Sequence, residues 1–126
     1  MLAWLHAWRW HIWILYSVVW TVALLAPEPE IMDGDSHSIT LDRKFVVAKA
    51  AHVGAYCAWT VLTAWLRAPL RYRFLLVFVL MAHATVTEVL QYATELGRIG
   101  ALLDVAFDHL GVALGLIATW PWWFRE

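Results

Sequence analysis

Residues 101–120 read ALLDVAFDHLGVALGLIATW, an apolar run that carries two acidic residues, Asp104 and Asp108. A run of about 20 apolar residues is long enough for one helix to cross the hydrocarbon core of a membrane. Gly111 and Gly115 follow the acids, and the successive spacings are four, three and four residues. Because such spacings place side chains on one helical face, the two acids and two glycines are predicted to contact protein rather than lipid.

The composition of the whole chain also indicates a membrane protein. Of 126 residues, 63% are hydrophobic and 15% are charged, and the mean hydropathy is +0.64. Soluble domains average about 45–50% apolar and about 25% charged residues. Nine basic residues against ten acidic ones leave no basic face, which argues against a nucleic-acid partner. Cys57 is the single cysteine, so a disulfide framework and a cysteine-based zinc site are excluded.

Three further apolar runs precede the first one described, and the chain lacks the alternating pattern of strands. Pro27 and Pro29 are predicted to end the first run, and Pro121 is predicted to end the last. We therefore expect an all-α fold, in which residues 1–126 form one integral membrane bundle with an uncleaved first helix. The four predicted transmembrane helices are 10–26, 45–66, 74–92 and 101–120, with an external loop at 27–44.

The distribution of basic residues predicts the orientation. Arg67, Arg71 and Arg73 lie between the second and third runs, whereas residues 27–44 are rich in acids. Because cytoplasmic loops carry the excess of Lys and Arg, both termini and the basic turn are expected in the cytoplasm. The acidic loop and the turn at 94–100 then face outside. Most tryptophans fall near the predicted cytoplasmic face, as interfacial anchors do: Trp4, Trp8, Trp10, Trp13, Trp65, Trp120, Trp122 and Trp123.

Several polar residues lie inside the predicted helices, where ionisable side chains cost roughly 2.5–3.5 kcal/mol each on insertion scales. Their spacing within each helix is three or four residues, and their depth places them all in the outer half of the bundle. They predict a polar pocket open to the outer leaflet, or, alternatively, a set of ion pairs that only stabilises packing. The set comprises Lys49, His52, Tyr56, Glu88, Gln91, Asp104 and Asp108, together with Arg98 of the outer turn at 94–100.

The order and spacing of these residues resemble the VanZ-like family of small polytopic membrane proteins. The resemblance rests on Lys49-x-x-His52-x-x-x-Tyr56, Glu88-x-x-Gln91, Arg98 and Asp104-x-x-x-Asp108-x-x-Gly111-x-x-x-Gly115. It implies a multi-pass protein of the bacterial cytoplasmic membrane, and an association with resistance to teicoplanin-type glycopeptides, whose target is lipid-linked cell-wall precursor on the outer face. Two positions depart from the family pattern: Ala48 stands where an acid is usual, and Asp108 where Asn is more frequent.

A pocket of this composition predicts binding, with or without processing, of an anionic envelope lipid or its phosphate. Lys49 and Arg98 would hold phosphate, and His52 or Glu88 would act as general acid or base. Binding alone is favoured; a catalytic version would be a hydrolase of lipid-linked phosphate. The candidate catalytic residues are thus His52 and Glu88. The candidate ligand-binding residues are Lys49, Tyr56, Gln91, Arg98, Asp104 and Asp108, of which the two aspartates orient the cations or bind a divalent ion.

Two alternatives remain open. The first is an accessory or structural subunit of a larger complex, with other integral membrane subunits as partners, as the exposed-looking Trp122 and Trp123 and the two family departures allow. The second is haem held by His83 or His109, which lie at similar predicted depth. Apart from that option, and from the divalent ion that the two aspartates or His52 could bind, no cofactor and no metal site is predicted, and membrane lipids are the expected partners.

Overall fold

The computed structural model of the chain describes residues 2–26, 39–94 and 102–124. These residues form four α-helices, so the predicted all-α fold is confirmed for the described part of the chain. The helices are α1 (Leu2–Leu25), α2 (Ile39–Trp65), α3 (Leu70–Thr94) and α4 (Leu102–Trp123).

Successive helices run in opposite directions, and hydrogen bonds between them define two ends of the bundle. At one end, Arg9 near the start of α1 donates to the Trp65 carbonyl at the end of α2, at 3.0 Å. At the same end, Arg73 donates to the last carbonyl groups of α4. At the opposite end, Gln91 Nε2 donates to the Leu24 carbonyl at 2.6 Å. We call the end with Arg9 and Arg73 the tryptophan end, and the end with Gln91 the polar end.

The helices extend beyond several predicted boundaries. The first begins at Leu2 rather than at residue 10, and α3 begins at Leu70, so Arg71 and Arg73 belong to a helix rather than to a turn. The prediction that Pro121 ends the last helix is wrong, because α4 continues to Trp123. A proline removes one backbone donor, but the Arg73 guanidinium donates to carbonyl groups of this last turn and stabilises it.

Three segments are long and apolar enough to cross a membrane: Phe45–Trp65, Leu70–Thr94 and Leu102–Trp123. The remaining helix, α1, has 24 residues, which is sufficient length. However, it combines Arg9 and His11 with several tryptophans, and these polar or amphipathic side chains lower its mean hydropathy. Length and composition therefore support three of the four predicted spans.

The closest helix pair is α2 with α4, and two glycines allow the approach. A Cβ atom added at Gly111 would lie 2.4 Å from the Val53 carbonyl oxygen. One added at Gly115 would lie 2.6 Å from Thr60 Cβ. Both distances are shorter than atomic contact permits, so only glycine fits. The predicted role of this pair in close helix packing is confirmed.

The surface of the bundle is apolar, and part of the interior is polar. Phe78, Val89 and Ile117 are 60% or more exposed, whereas Asp108 and Thr60 are fully buried. This distribution fits a helical bundle surrounded by lipid, in which polar groups are excluded from the hydrocarbon-facing surface.

The tryptophan end carries exposed indole rings, as the sequence indicates, but two predicted interfacial rings are turned inward. Trp13 donates from Nε1 to Thr63 Oγ1 at 2.9 Å, and Trp123 donates to Thr119 Oγ1 at 2.9 Å. Trp123 is 1% exposed and belongs to the core. The exposed rings are Trp8, Trp10, Trp65, Trp120 and Trp122.

Candidate functional site

The polar end holds an ion pair between α2 and α4. Lys49 Nζ donates to Asp104 Oδ1, and the two side chains are 14% and 13% exposed. Because neither side chain is fully buried, a molecule from outside can reach the pair. Lys49 lies one turn before His52, as the predicted shared face of α2 requires.

A second polar pair lies one turn deeper on the same two helices. His52 Nδ1 and Asp108 Oδ1 are 2.8 Å apart. The Asp108 side chain is fully buried, and its second oxygen, Oδ2, has no hydrogen-bond partner among the residues that the structure describes. The Trp20 ring of α1 packs against the His52 ring, with ring centres 6.3 Å apart. This pair is thus enclosed by three helices.

The third helix brings Glu88 to the same place. Its side chain is 5% exposed, and one ligand atom each from His52, Glu88 and Asp108 lie within 4.8 Å of one another. Lys49, His52, Glu88, Asp104 and Asp108 are called the polar cluster below. The structure therefore brings together five of the eight residues predicted to converge.

Tyr56 belongs to a different network, one turn further from the polar end. It is fully buried, and its hydroxyl group lies 2.9 Å from His83 Nδ1. The other ring nitrogen of His83 lies 2.9 Å from Thr21 Oγ1 on α1. Tyr56 is thus a core residue that links α2 to α3, and its side chain presents no surface to a ligand.

The other predicted site residues have separate positions. Gln91 is 5% exposed and donates to the Leu24 carbonyl, so its amide group fixes the end of α1 against α3. Arg98 lies outside the described residues.

Of the two predicted haem ligands, His83 has both ring nitrogens in hydrogen-bond contact. His109 Nε2 lies 3.3 Å from the Met81 carbonyl oxygen. Haem ligation stays a prediction.

Sequence reasoning missed two parts of the site. One is the contribution of α1, although the spacing of four between Ser17 and Thr21 gave a signal for a polar face. The other is that His52, Glu88 and Asp108 form one set of three possible metal ligands. The sequence indicates which residues share a face of one helix. It does not indicate which face of α3 is turned toward α2 and α4.

A groove of about 310 Å³ lies at the tryptophan end, away from the polar cluster. Trp10 of α1, the connection at 67–69 and the first turns of α3 line it, and its walls are mostly apolar. A pocket was predicted at the polar end, whereas this groove at the tryptophan end was not predicted.

The polar cluster contains more negative than positive groups. Lys49 offers one positive charge, against carboxyl groups at Glu88, Asp104 and Asp108. The charges of Lys49 and Asp104 cancel, so the excess negative charge comes from the deeper residues, Glu88 and Asp108, which lie beside His52. These three residues can bind a cation, share protons or orient a polar ligand. Within the cluster, Lys49 is the residue that can attract an anion.

No protein-family model, curated protein or solved structure matches this chain.

Proposed function

We propose that this chain is a VanZ-like integral membrane protein that binds the phosphate group of an anionic cell-envelope lipid at the polar cluster. In this proposal, four helices span the bacterial cytoplasmic membrane, both termini are cytoplasmic, and the polar end faces the outer leaflet. The apolar perimeter of the bundle and the three long apolar helices support a membrane location.

The observation that carries the proposal is the position of the Lys49–Asp104 pair. Both side chains keep some exposure, whereas Asp108 and Glu88 behind them are 0% and 5% exposed. A lipid that diffuses in the membrane would present its phosphate to this edge. The Lys49 ammonium group would then donate to the phosphate through an N–H that Asp104 does not use, which adds a charge-assisted contact and keeps the ion pair.

Exposed apolar side chains next to this pair are suitable for the acyl chains of the same lipid. Val46 and Val47 on α2 are 63% and 67% exposed, and Leu103 on α4 is 51% exposed. Polar recognition at an edge, with apolar surface beside it, is the arrangement expected for a ligand that stays in the membrane.

The geometry favours binding over hydrolysis. A hydrolase would need a nucleophile beside its base, and the hydroxyl group nearest in sequence to His52 on the same helical face is that of Tyr56. Tyr56 instead contacts His83, and His52 contacts Asp108. With His52 in contact with Asp108, an acid or base at His52 would act on a water molecule as the nucleophile.

Native mass spectrometry with defined lipids tests this function. The purified chain is mixed with phosphatidylglycerol or with phosphatidylcholine, and lipid adducts are counted. We expect anionic adducts that decrease about tenfold in Lys49→Gln, the loss of one charge-assisted contact. Arg71→Gln is the matched control, because Arg71 is an exposed cation at the tryptophan end. Equal adducts in both variants would contradict the proposal.

A second function, an accessory subunit of a membrane complex, is supported by a different observation. Both polar pairs join α2 to α4, so the cluster can serve packing alone. At the tryptophan end, Trp120, Trp122 and Phe124 are 44–58% exposed and could contact another subunit. Co-purification of other membrane chains at fixed stoichiometry, lost in Trp120→Ala, would favour this function over lipid binding.

A further inference from the structure

We propose that His52, Glu88 and Asp108 bind one divalent transition-metal ion, for which Zn²⁺ is the reference. The three residues come from α2, α3 and α4, and one ligand atom of each lies within 4.8 Å of the others. Asp108 is fully buried, and His52 is 13% exposed, as Asp104 is, so an ion can reach the site from the edge of the bundle. An imidazole nitrogen and two carboxylate oxygens are a donor set that zinc accepts.

The distances are compatible with a metal site after a small movement. Ligand atoms bound to zinc at 2.0–2.2 Å are separated by about 3.3 Å in a tetrahedral arrangement. His52 Nδ1 and Asp108 Oδ1 are already 2.8 Å apart. The largest separation in the set, at most 4.8 Å, must therefore shorten by about 1.5 Å. Rotation of the long Glu88 side chain can supply this, since its terminal torsion is soft.

A second observation points to a cation independently of the distances. Asp108 Oδ2 is buried and has no hydrogen-bond partner, although Oδ1 of the same carboxyl group faces His52. A buried carboxylate oxygen without a donor is costly, by about 1–3 kcal/mol or more. A metal ion bound by both oxygens of this carboxylate would contact Oδ2 as well as Oδ1 and supply the missing partner.

The charges of the cluster also favour a divalent ion. Lys49 and Asp104 neutralise each other at the edge. The deeper set contains two carboxyl groups and one imidazole, so a dication with neutral His52 makes the site electrically neutral. Protons on the same groups are the competing way to reduce the charge, and the experiment below separates the two.

The donor types indicate which class of ion fits. Calcium prefers six to eight oxygen ligands, and magnesium demands octahedral oxygen coordination, whereas imidazole suits zinc and its first-row neighbours. Three protein ligands leave an open coordination position, as in catalytic zinc sites. A phosphate oxygen of the lipid could occupy that position beside Lys49; this role, though not ion binding itself, rests on the proposed function.

Metal titration of the full chain in lipid-free detergent tests the inference. After treatment with a chelator, Zn²⁺ is added and followed by calorimetry, and Co²⁺ is added and followed by visible absorption. We expect one ion per chain, and at least a 100-fold weaker affinity in Asp108→Asn and in Glu88→Gln, about 2.7 kcal/mol or more. The matched control is Arg71→Gln, which changes an exposed cation at the tryptophan end and should change affinity less than about tenfold.

Two results would overturn the inference: a wild-type chain that binds no stoichiometric ion, or a folded Asp108→Asn variant that binds as tightly as wild type. Circular dichroism of each ion-free variant establishes that its helices are intact. Glu88→Gln provides a second variant if Asp108→Asn fails to fold. Because lipid is absent, a failure of lipid binding leaves this result standing. Conversely, lipid adducts formed after chelation would support the proposed function without the metal.

Discussion

The close contact between α2 and α4 predicts that a single methyl group at Gly111 destabilises the protein. The Cβ of Gly111→Ala would lie 2.4 Å from the Val53 carbonyl oxygen and 3.0 Å from Tyr56 Cβ. The first contact is with backbone, which cannot rotate away as a side chain can. The helices must therefore separate, and the two polar pairs that join them must lengthen.

The magnitude follows from two opposing effects. Overpacking of a tight core costs typically about 1–3 kcal/mol, and the backbone contact places this position near the upper value. Alanine is more favourable than glycine in a helix by about 1 kcal/mol. The expected net loss in the free energy of unfolding is therefore about 2 kcal/mol.

Gly54→Ala is the matched control, because a Cβ at Gly54 would meet no atom within 4 Å. It should gain up to about 1 kcal/mol, so the two alanine variants should differ by about 3 kcal/mol. Unfolding by sodium dodecyl sulfate in mixed micelles, followed by circular dichroism, measures both. A Gly111→Ala variant as stable as Gly54→Ala would refute the close helix approach.

Two other predictions concern the tryptophan end and the orientation. Arg73→Gln should lose about 2 kcal/mol of stability, because the buried guanidinium donates to the last carbonyl groups of α4. Arg71→Gln, on the exposed surface, should change it by less than about 0.5 kcal/mol in the same unfolding assay. In a Cys57→Ser background, Ser36→Cys should react with an impermeant maleimide from outside intact cells, and Ala68→Cys only after lysis. Reversed labelling would invert the proposed topology.

The fold could be predicted from the sequence where the period of polar residues was clear. The spacing of Lys49 and His52 on α2, and of Asp104 and Asp108 on α4, placed each pair on one face. Since helices run at 1.5 Å per residue, the same residues fell at one depth. Both polar pairs between these helices are consistent with that arithmetic.

The rest depended on tertiary contacts that the sequence does not encode locally. Tyr56 shares the face of His52, yet it pairs with His83 because α3 packs beside α2 at that level. Pro121 is a reliable stop signal in isolation, and it failed because Arg73, far away in sequence, supports the last turn of α4. Gln91 was predicted to bind a ligand, but its side chain donates to the Leu24 carbonyl, because carbonyl groups at the end of a helix accept hydrogen bonds from outside that helix.

The central claim is that the polar cluster binds a ligand and does not merely hold the helices together. The most direct test is the double variant Lys49→Met with Asp104→Leu, which replaces the ion pair by apolar side chains of similar length. Because such replacement is often neutral or stabilising for a buried pair, we expect the free energy of unfolding to be retained. We also expect the phosphatidylglycerol adducts seen by native mass spectrometry to disappear. Retention of both stability and adducts would contradict the claim and leave the cluster with a packing role.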